Sequence, residues 1–318
     1  MKKTLLAWLW LAWLAGLRLQ AQIPGDTSIL EGPLTALEKQ PDGSVIARVM
    51  GTRIRVTAAT RIFTPTSNLT LEQLCDTNRL PGRTQAGLLG GTAITMGREE
   101  TPLLIAARTF FIEPAEHVLL GTVTGVTTNG LVYVNGTPVV KLEDARIPAY
   151  PMRNAFGLAI DSASIPLGTP ATAEGYFDGR CFRSFVLDFT GVLPLKDKVN
   201  PQIGVAAARC TENTPDNVKG DRVDLFGGVT LFHLSSLFST QPVDIYRVDG
   251  ATSTFLTRVQ ATRDVAQPNI GVLNVRFDTA PSTHPVFSRA PTLLKLVMPA
   301  NGSTLPQPVA QLIFPESR

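Results

Sequence analysis

The most distinctive cluster of side chains that could contact a ligand lies in residues 174–180, which read EGYFDGR. Asp178 and the glycine after it predict a tight hairpin turn, because such a pair readily adopts positive φ angles. Aromatic and charged side chains stand beside that turn. The segment therefore has two interpretations. It is either a turn flanked by core aromatic residues or a ligand-contacting edge of a barrel, formed by Tyr176, Phe177, Asp178 and Arg180.

The histidines could supply general-base chemistry, because the ordinary imidazole pKa lies close to neutral. His117, His233 and His284 are isolated in the sequence and belong to no recognisable motif. Glycine-rich phosphate loops, nucleophile elbows and zinc-binding motifs are also missing from the sequence. Two acidic pairs, Glu99-Glu100 and Glu143-Asp144, stand at or beside predicted turns, where solvated charge is usual. We therefore expect no catalytic residues, no metal ligands and no cofactor.

Three cysteines follow the first 21 residues, at positions 75, 181 and 210. In an oxidising compartment two of them could form a disulfide. Cys181 and Cys210 flank the boundary between the second and third predicted domains and are the preferred pair, which would leave Cys75 as a buried thiol. The alternative is that all three are unpaired and serve as small apolar residues.

The first 21 residues have the layout of an export signal. A basic start, Met1-Lys2-Lys3, precedes a short apolar run over residues 5–16, and Ala21 is a small residue at the expected cleavage position. The run is shorter than the roughly 20 residues needed to cross a bilayer. We expect cleavage after Ala21 and an exported protein, periplasmic, cell-surface or secreted, with no transmembrane segment in the mature chain.

Removal of this segment changes the charge balance and the aromatic content. The segment contains Lys2, Lys3 and Arg18 and no acidic residue. The mature chain therefore keeps 26 of the 29 basic residues and all 26 acidic residues. The segment also contains all three tryptophans. A near-neutral chain without tryptophan lacks both the uncompensated cations and the best stacking side chain of nucleic-acid binders. We therefore expect no nucleic-acid partner.

One β-pattern occurs twice in the next 170 residues. Residues 32–62 contain a strand, a turn at Asp42-Gly43, two further strands around Gly51-Thr52, and an Arg-Ile pair. The same order returns over residues 121–147, with Asn129-Gly130 and Gly136-Thr137 at the turns. Each copy then continues into two more strands, and in the first copy Asn68 is expected to cap a short intervening helix. Three strands, a connection and two strands is the order of an OB-type barrel.

These glycines and core positions resemble a family of secreted bacterial domains of unknown function, whose members occur as tandem OB-like β-barrels. The resemblance covers about residues 28–193. It implies an all-β fold and brings no catalytic residues with it.

The sequence pattern changes after Pro201. Strand-like runs recur there between turns marked by Gly250, Pro268-Asn269 and Asn301-Gly302. Such spacing is typical of an antiparallel immunoglobulin-like sandwich. The complete prediction is an all-β chain of two tandem OB-like small β-barrels and a C-terminal immunoglobulin-like β-sandwich. Its parts are a signal peptide at 1–21, barrels at 22–114 and 115–196, and the sandwich at 197–318.

Tandem β-domains without a catalytic motif favour a non-enzymatic role in structure, adhesion or assembly, with other envelope proteins as partners. One alternative is a module that binds an extracellular glycan or small ligand on a barrel face. A third interpretation is a hydrolase whose site residues are dispersed along the sequence.

Overall fold

The computed structural model describes residues 28–317, except for 115–116, 192, 198, 212–220, 231–238, 280–290, 292, 302–304, 306 and 314. The predicted signal segment, His233 and His284 therefore lie outside the described residues. The described chain is nearly all β, and its strands form three sheets that follow one another along the sequence. The predicted all-β architecture of barrels is confirmed.

The first sheet contains seven strands and closes into a barrel. They are β1 (Ser28–Lys39), β2 (Val45–Val49), β3 (Thr52–Val56), β4 (Arg61–Phe63), β5 (Asn68–Leu69), β6 (Thr92–Thr101) and β7 (Leu104–Glu113). Strand β1 bridges two antiparallel partners, β2 and β6, while β3 pairs in parallel with β7 and closes the ring. Strands β1, β2, β3, β6 and β7 thus have the pairing of an OB-type barrel.

The short helix α1 (Leu71–Leu74) lies between β5 and β6 and begins two residues later than predicted. Thr70, not Asn68, is its N-cap, because Thr70 and Gln73 form a reciprocal capping box. The Thr70 hydroxyl accepts from the Gln73 amide at 3.1 Å, and the Gln73 side chain accepts from the Thr70 amide at 2.9 Å. Leu74, which is completely buried, anchors the helix in the barrel core.

The second sheet repeats the first. Its strands are β8 (His117–Val126), β9 (Val132–Val134), β10 (Thr137–Lys141), β11 (Arg153–Asn154), β12 (Pro170–Phe177) and β13 (Phe182–Phe189). Here β8 bridges β9 and β12, and the parallel pair β10 and β13 closes the barrel. A single 3₁₀ turn at Ser162–Ser164 stands in the connection that carries the helix in the first barrel.

The two barrels use the same turns at the same places. Gly51 joins β2 to β3 and Gly136 joins β9 to β10, each with a φ of 79°. The residue before each glycine is also left-handed, at 49° for Met50 and 47° for Asn135. Two consecutive left-handed residues make the two-residue hairpin turn whose twist matches that of the strands. The predicted equivalence of Gly51 and Gly136 is confirmed.

The third sheet forms the C-terminal domain. Its strands are β14 (Ile203–Thr211), β15 (Arg222–Val229), β16 (Thr240–Asp249), β17 (Thr252–Arg263), β18 (Gly271–Asp278), β19 (Leu294–Met298), β20 (Val309–Ile313) and β21 (Glu316–Ser317). Strands β17, β16, β19 and β20 form one layer, and β18, β15, β14 and β21 form the other. Among the residues described in this domain, two pairs at the end of β17 join the layers into one sheet. This is the immunoglobulin-like sandwich that the strand spacing predicts.

The hydrophobic core of the first barrel extends across the boundary into the second barrel. The cluster that fills the first barrel, with Leu34, Ile54 and Phe110 at its centre, also contains residues of the second barrel: Leu142, Ile147, Tyr176, Phe185 and Val186. A smaller cluster joins the second barrel to the C-terminal domain, through Phe156, Leu158, Leu195 and Ile270. Burial of apolar side chains therefore holds all three domains together.

Candidate functional site

The predicted ligand-contacting segment lies where the two barrels meet. Tyr176 is only 2% exposed, and its hydroxyl donates a 2.7 Å hydrogen bond to the Pro81 carbonyl in the first barrel. The Arg83 guanidinium lies over the Tyr176 ring, 5.7 Å from its centroid. Burial raises the pKa of Tyr176 to about 12. The phenol is thus a neutral donor that fastens one barrel to the other and is not accessible to a ligand.

Asp178 has a structural task in the same segment. Its carboxylate accepts from the backbone amides of Arg180 and Cys181, both at 2.9 Å, and from Arg183 Nε at 2.6 Å. Burial opposes ionisation, but these hydrogen bonds outweigh it and hold the pKa of Asp178 well below its usual range. Of the four predicted contact residues, Phe177 and Arg180 are exposed, Tyr176 bonds the first barrel, and Asp178 orders its own turn. The four do not form one ligand-contacting edge.

A buried arginine fastens the two barrels a second time. Arg146 is 4% exposed and holds Asp144 through two 2.8 Å hydrogen bonds. Its guanidinium also donates to first-barrel carbonyls, to Asn78 at 2.8 Å and to Asp76 at 3.2 Å. Burial opposes ionisation of Asp144, but Arg146 lowers the pKa of that carboxyl overall. One member of the predicted acidic pair at 143–144 is therefore a structural partner of Arg146.

The equivalent arginine of the first barrel reaches the C-terminal domain. Arg61 precedes Ile62 as Arg146 precedes Ile147, and its Nη2 donates to Asp249 Oδ1 at 2.7 Å. Arg247, which is 2% exposed, donates from Nε to the other oxygen of Asp249 at 2.6 Å. The repeated Arg-Ile pair was visible in the sequence, but its role in joining domains was not.

A third arginine joins the second barrel to the C-terminal domain. Arg153 makes two 2.7 Å hydrogen bonds to Asp188 and donates to the Val205 carbonyl at 3.2 Å. Its guanidinium lies 4.7 Å from the centroid of the Tyr150 ring. With Arg146 and the Arg61–Asp249–Arg247 cluster, Arg153 completes a set in which every pair of domains shares an arginine contact. We call these the arginine junctions.

Glycines allow the backbones to touch at the Arg153 junction. A Cβ on Gly157 would lie 2.2 Å from the Val205 carbonyl carbon, and one on Gly204 would lie 2.5 Å from that of Gly157. Gly157 also has a φ of 75°, which favours glycine. The Asn154 side chain fixes this loop by accepting from the amides of Phe156 and Leu158, both at 3.0 Å. A side chain would therefore not fit at Gly157 or Gly204, where the two backbones meet.

A groove of about 340 Å³ lies against the second barrel, beside the parallel pair β10 and β13. Its volume is at the lower end of the range for small-ligand sites. Lys141 and Lys196 are exposed around the groove, Tyr150 is half-buried, and Asp161 is committed to capping the 3₁₀ turn. The apolar lining consists of Val139, Val140, Ala149, Pro151, Met152, Ile160 and Leu187. These residues come from four separate segments, so sequence reasoning missed the groove.

Within the described residues, the remaining candidates do not converge on one site. His117 Nδ1 accepts a hydrogen bond from the Phe177 amide at 3.2 Å. Glu100 forms an ion pair with Arg55 at 3.2 Å. Within the described ranges, no group of three or more His, Cys, Asp or Glu side chains could hold a metal ion.

The prediction of a Cys181–Cys210 disulfide is wrong, because all three cysteines are free thiols. Cys210 is fully buried in the C-terminal core, and burial raises the pKa of its thiol. Cys181 instead belongs to the β12–β13 turn, where its thiol donates to Asp178 at 3.4 Å. Cys75, predicted to be a buried thiol, is half-buried.

Among the described residues no helix is long and apolar enough to cross a membrane. Comparison of the whole chain with protein-family models, curated proteins and solved structures finds no match.

Proposed function

We propose that this protein is a non-enzymatic structural component of the cell envelope or the exported fraction, acting in assembly or adhesion. The observation that carries the proposal is the set of arginine junctions. Independent domains of one chain normally move relative to one another unless their interface is extensive. Here each pair of domains shares a charge-assisted contact, and the two barrels share a core. A chain built this way holds distant surfaces at fixed separations, which a scaffold requires.

The predicted export signal supports an extracytoplasmic location, and the tandem barrels support the resemblance to secreted OB-like domains. The partners proposed are other envelope proteins or glycans. No part of this role needs a cofactor or nucleic acid.

Complementation of cells that lack the gene tests the proposal. We expect His117→Gln to restore envelope integrity as well as the original sequence does, because His117 accepts a backbone hydrogen bond that a glutamine side chain can also accept. A variant that opens a domain junction should fail to restore it. The reverse result, loss of function in His117→Gln at an unchanged melting temperature, would indicate catalysis and contradict a structural role.

The groove beside β10 favours a second candidate, a module that binds a small acidic glycan. Its apolar lining can pack against a sugar ring, and its two exposed lysines can contact a carboxylate. This role is compatible with a rigid scaffold, since a fixed domain arrangement also keeps a groove open.

Replacing Ala149 with Trp fills the groove and tests this candidate. Uronic-acid oligosaccharides should raise the melting temperature of the original protein, because a ligand that binds only the folded state stabilises it. The Ala149→Trp variant should lose this shift. Ala59→Trp, at an exposed turn of the first barrel, is the matched control and should retain it. No shift with any uronic-acid oligosaccharide would exclude this class of ligand.

A further inference from the structure

Two large apolar side chains are exposed on turns at one end of the first barrel. Met50, in the β2–β3 turn, is 63% exposed, and Leu103, in the β6–β7 turn, is 68% exposed. Both have left-handed backbones, with φ angles of 49° and 63°. That conformation crowds the Cβ of any side chain, and it is an outlier for a bulky apolar residue. Each residue combines an exposed apolar surface with backbone strain.

The two turns are neighbours. The Arg53 amide, three residues after Met50, donates to the Leu103 carbonyl at 2.9 Å. From that point β3 and β7 run side by side in parallel. Met50 and Leu103 therefore stand together at one rim of the barrel, and we call them the apolar rim.

The second barrel shows that the fold does not need an apolar residue at the position of Met50. Its β9–β10 turn has Asn135 in place of Met50, and the Asn135 side chain accepts from the Thr122 amide at 3.0 Å and donates to the Leu120 carbonyl at 3.2 Å. Asparagine adopts a left-handed backbone more readily than a bulky apolar residue does. Met50 is therefore the less stable choice for this turn, and turn formation does not explain it. The β12–β13 connection has four residues, so it is not the counterpart of the two-residue turn that holds Leu103.

Arginines stand beside the apolar rim. Arg48 and Arg53 are directly opposite each other in the β2–β3 ladder, a placement that is unfavourable for like charges. Arg48 forms an ion pair with Glu38 at 2.9 Å. Arg53 is exposed, and its side chain forms no ion pair within the described part of the chain. An anion at this edge would relieve the repulsion between the two guanidinium groups.

We propose that the apolar rim docks on an anionic phospholipid surface. Met50 and Leu103 enter the interface between headgroups and acyl chains, while Arg48 and Arg53 contact lipid phosphates. The rim consists of two hairpin turns with exposed apolar side chains, and a fluid lipid interface accepts such side chains without a matching pocket. Apolar contact combined with nearby positive charge is the arrangement that favours binding to anionic bilayers. This inference does not depend on the scaffold role, because a ligand-binding protein could dock in the same way.

Flotation with lipid vesicles tests the inference. The chain is used from residue 22 onwards, since an attached export signal would itself insert into vesicles. We expect binding to vesicles of equal phosphatidylglycerol and phosphatidylcholine, and at least tenfold weaker binding to phosphatidylcholine alone. The double variant Met50→Asn/Leu103→Asn should lower the partition coefficient at least tenfold. Arg53→Gln should lower it several-fold and reduce its dependence on salt.

The controls distinguish docking through the apolar rim from misfolding and from nonspecific adsorption to vesicles. Asparagine tolerates a left-handed backbone, so the double variant should melt no lower than the original protein. Leu167→Asn removes a leucine that is also 68% exposed but belongs to the second barrel, and it should leave binding unchanged. The inference is overturned if the original chain does not prefer anionic vesicles, or if Leu167→Asn weakens binding as much as the double variant. It is also overturned if the rim proves necessary only for contact with another protein.

Discussion

Replacing Arg146 with Met destabilises the protein by about 3–5 kcal/mol, the range observed when one partner of a buried ion pair is removed. The change leaves the Asp144 carboxylate, whose side chain is 13% exposed, without its cation. It also leaves the Asp76 and Asn78 carbonyls without their donor. Chemical denaturation gives the free energy of unfolding. The expected loss is large because these groups lie between two barrels that share one core.

Arg276→Met is the matched control for this experiment. Arg276 also forms an ion pair, with Asp224, but its side chain is 70% exposed. Water replaces such a partner readily, so this variant should unfold almost as the original protein does. Equal losses in the two variants would contradict the importance that we assign to Arg146.

The same pair predicts a pH dependence. The pKa of Asp144 is lowered in the folded state, so the carboxylate stabilises the fold above the ordinary aspartate pKa of 3.8. That contribution is lost as the pH falls below 3.8 towards the folded-state pKa. The Arg146→Met variant, in which the cation is missing, should therefore lose less stability than the original protein over this acidic range.

Gly157→Ala should destabilise the protein by about 3–4 kcal/mol, through backbone strain and overpacking together. The added methyl group would lie 2.2 Å from a backbone atom of Val205, which cannot rotate away. The second barrel and the C-terminal domain must then separate. Thermal unfolding measures the loss, and small-angle scattering should show a larger radius of gyration.

Gly168→Ala separates the two contributions to this loss. Gly168 has a φ of 81°, close to the 75° of Gly157, but a Cβ there meets nothing within 4 Å. Its alanine variant should lose only the strain of a left-handed residue, about 1–2 kcal/mol. If both variants lose the same free energy, contact between the domains does not determine the effect at Gly157.

The barrels could be predicted because their signals are local. Turn residues and strand alternation can be identified from a few neighbouring positions. The duplication shows each of these patterns twice, which makes the interpretation more secure. Even so, Asp42-Gly43 and Asn129-Gly130 do not form the two-residue turns that the sequence favours. In both hairpins only the glycine has a positive φ, and the amides of Gly43 and Gly130 donate three residues back, to Gln40 and Thr127. The glycines were identified correctly, but the loop length was not.

The junctions and the groove could not be predicted, because each brings together residues that are distant in sequence. Arg61 and Asp249 meet across 188 positions, and Arg146 contacts a carbonyl 70 positions earlier. Charge and hydropathy patterns contain no information about such pairs. Tyr176 illustrates the difference, because the sequence marked its segment as distinctive but did not show that its hydroxyl bonds the Pro81 carbonyl of the other barrel.

The core shared by the two barrels has a consequence for the export that we propose. A chain that crosses a membrane in an extended form emerges from its N-terminal end, so the first barrel reaches the far side before the second. Its own last strand ends at Glu113, yet the cluster that fills it also needs Phe185 and Val186. The first barrel therefore cannot complete its core until the second has emerged, and its apolar interior stays incompletely covered until then. If the protein is exported as we propose, chaperones on the far side of the membrane should bind the first barrel during that interval.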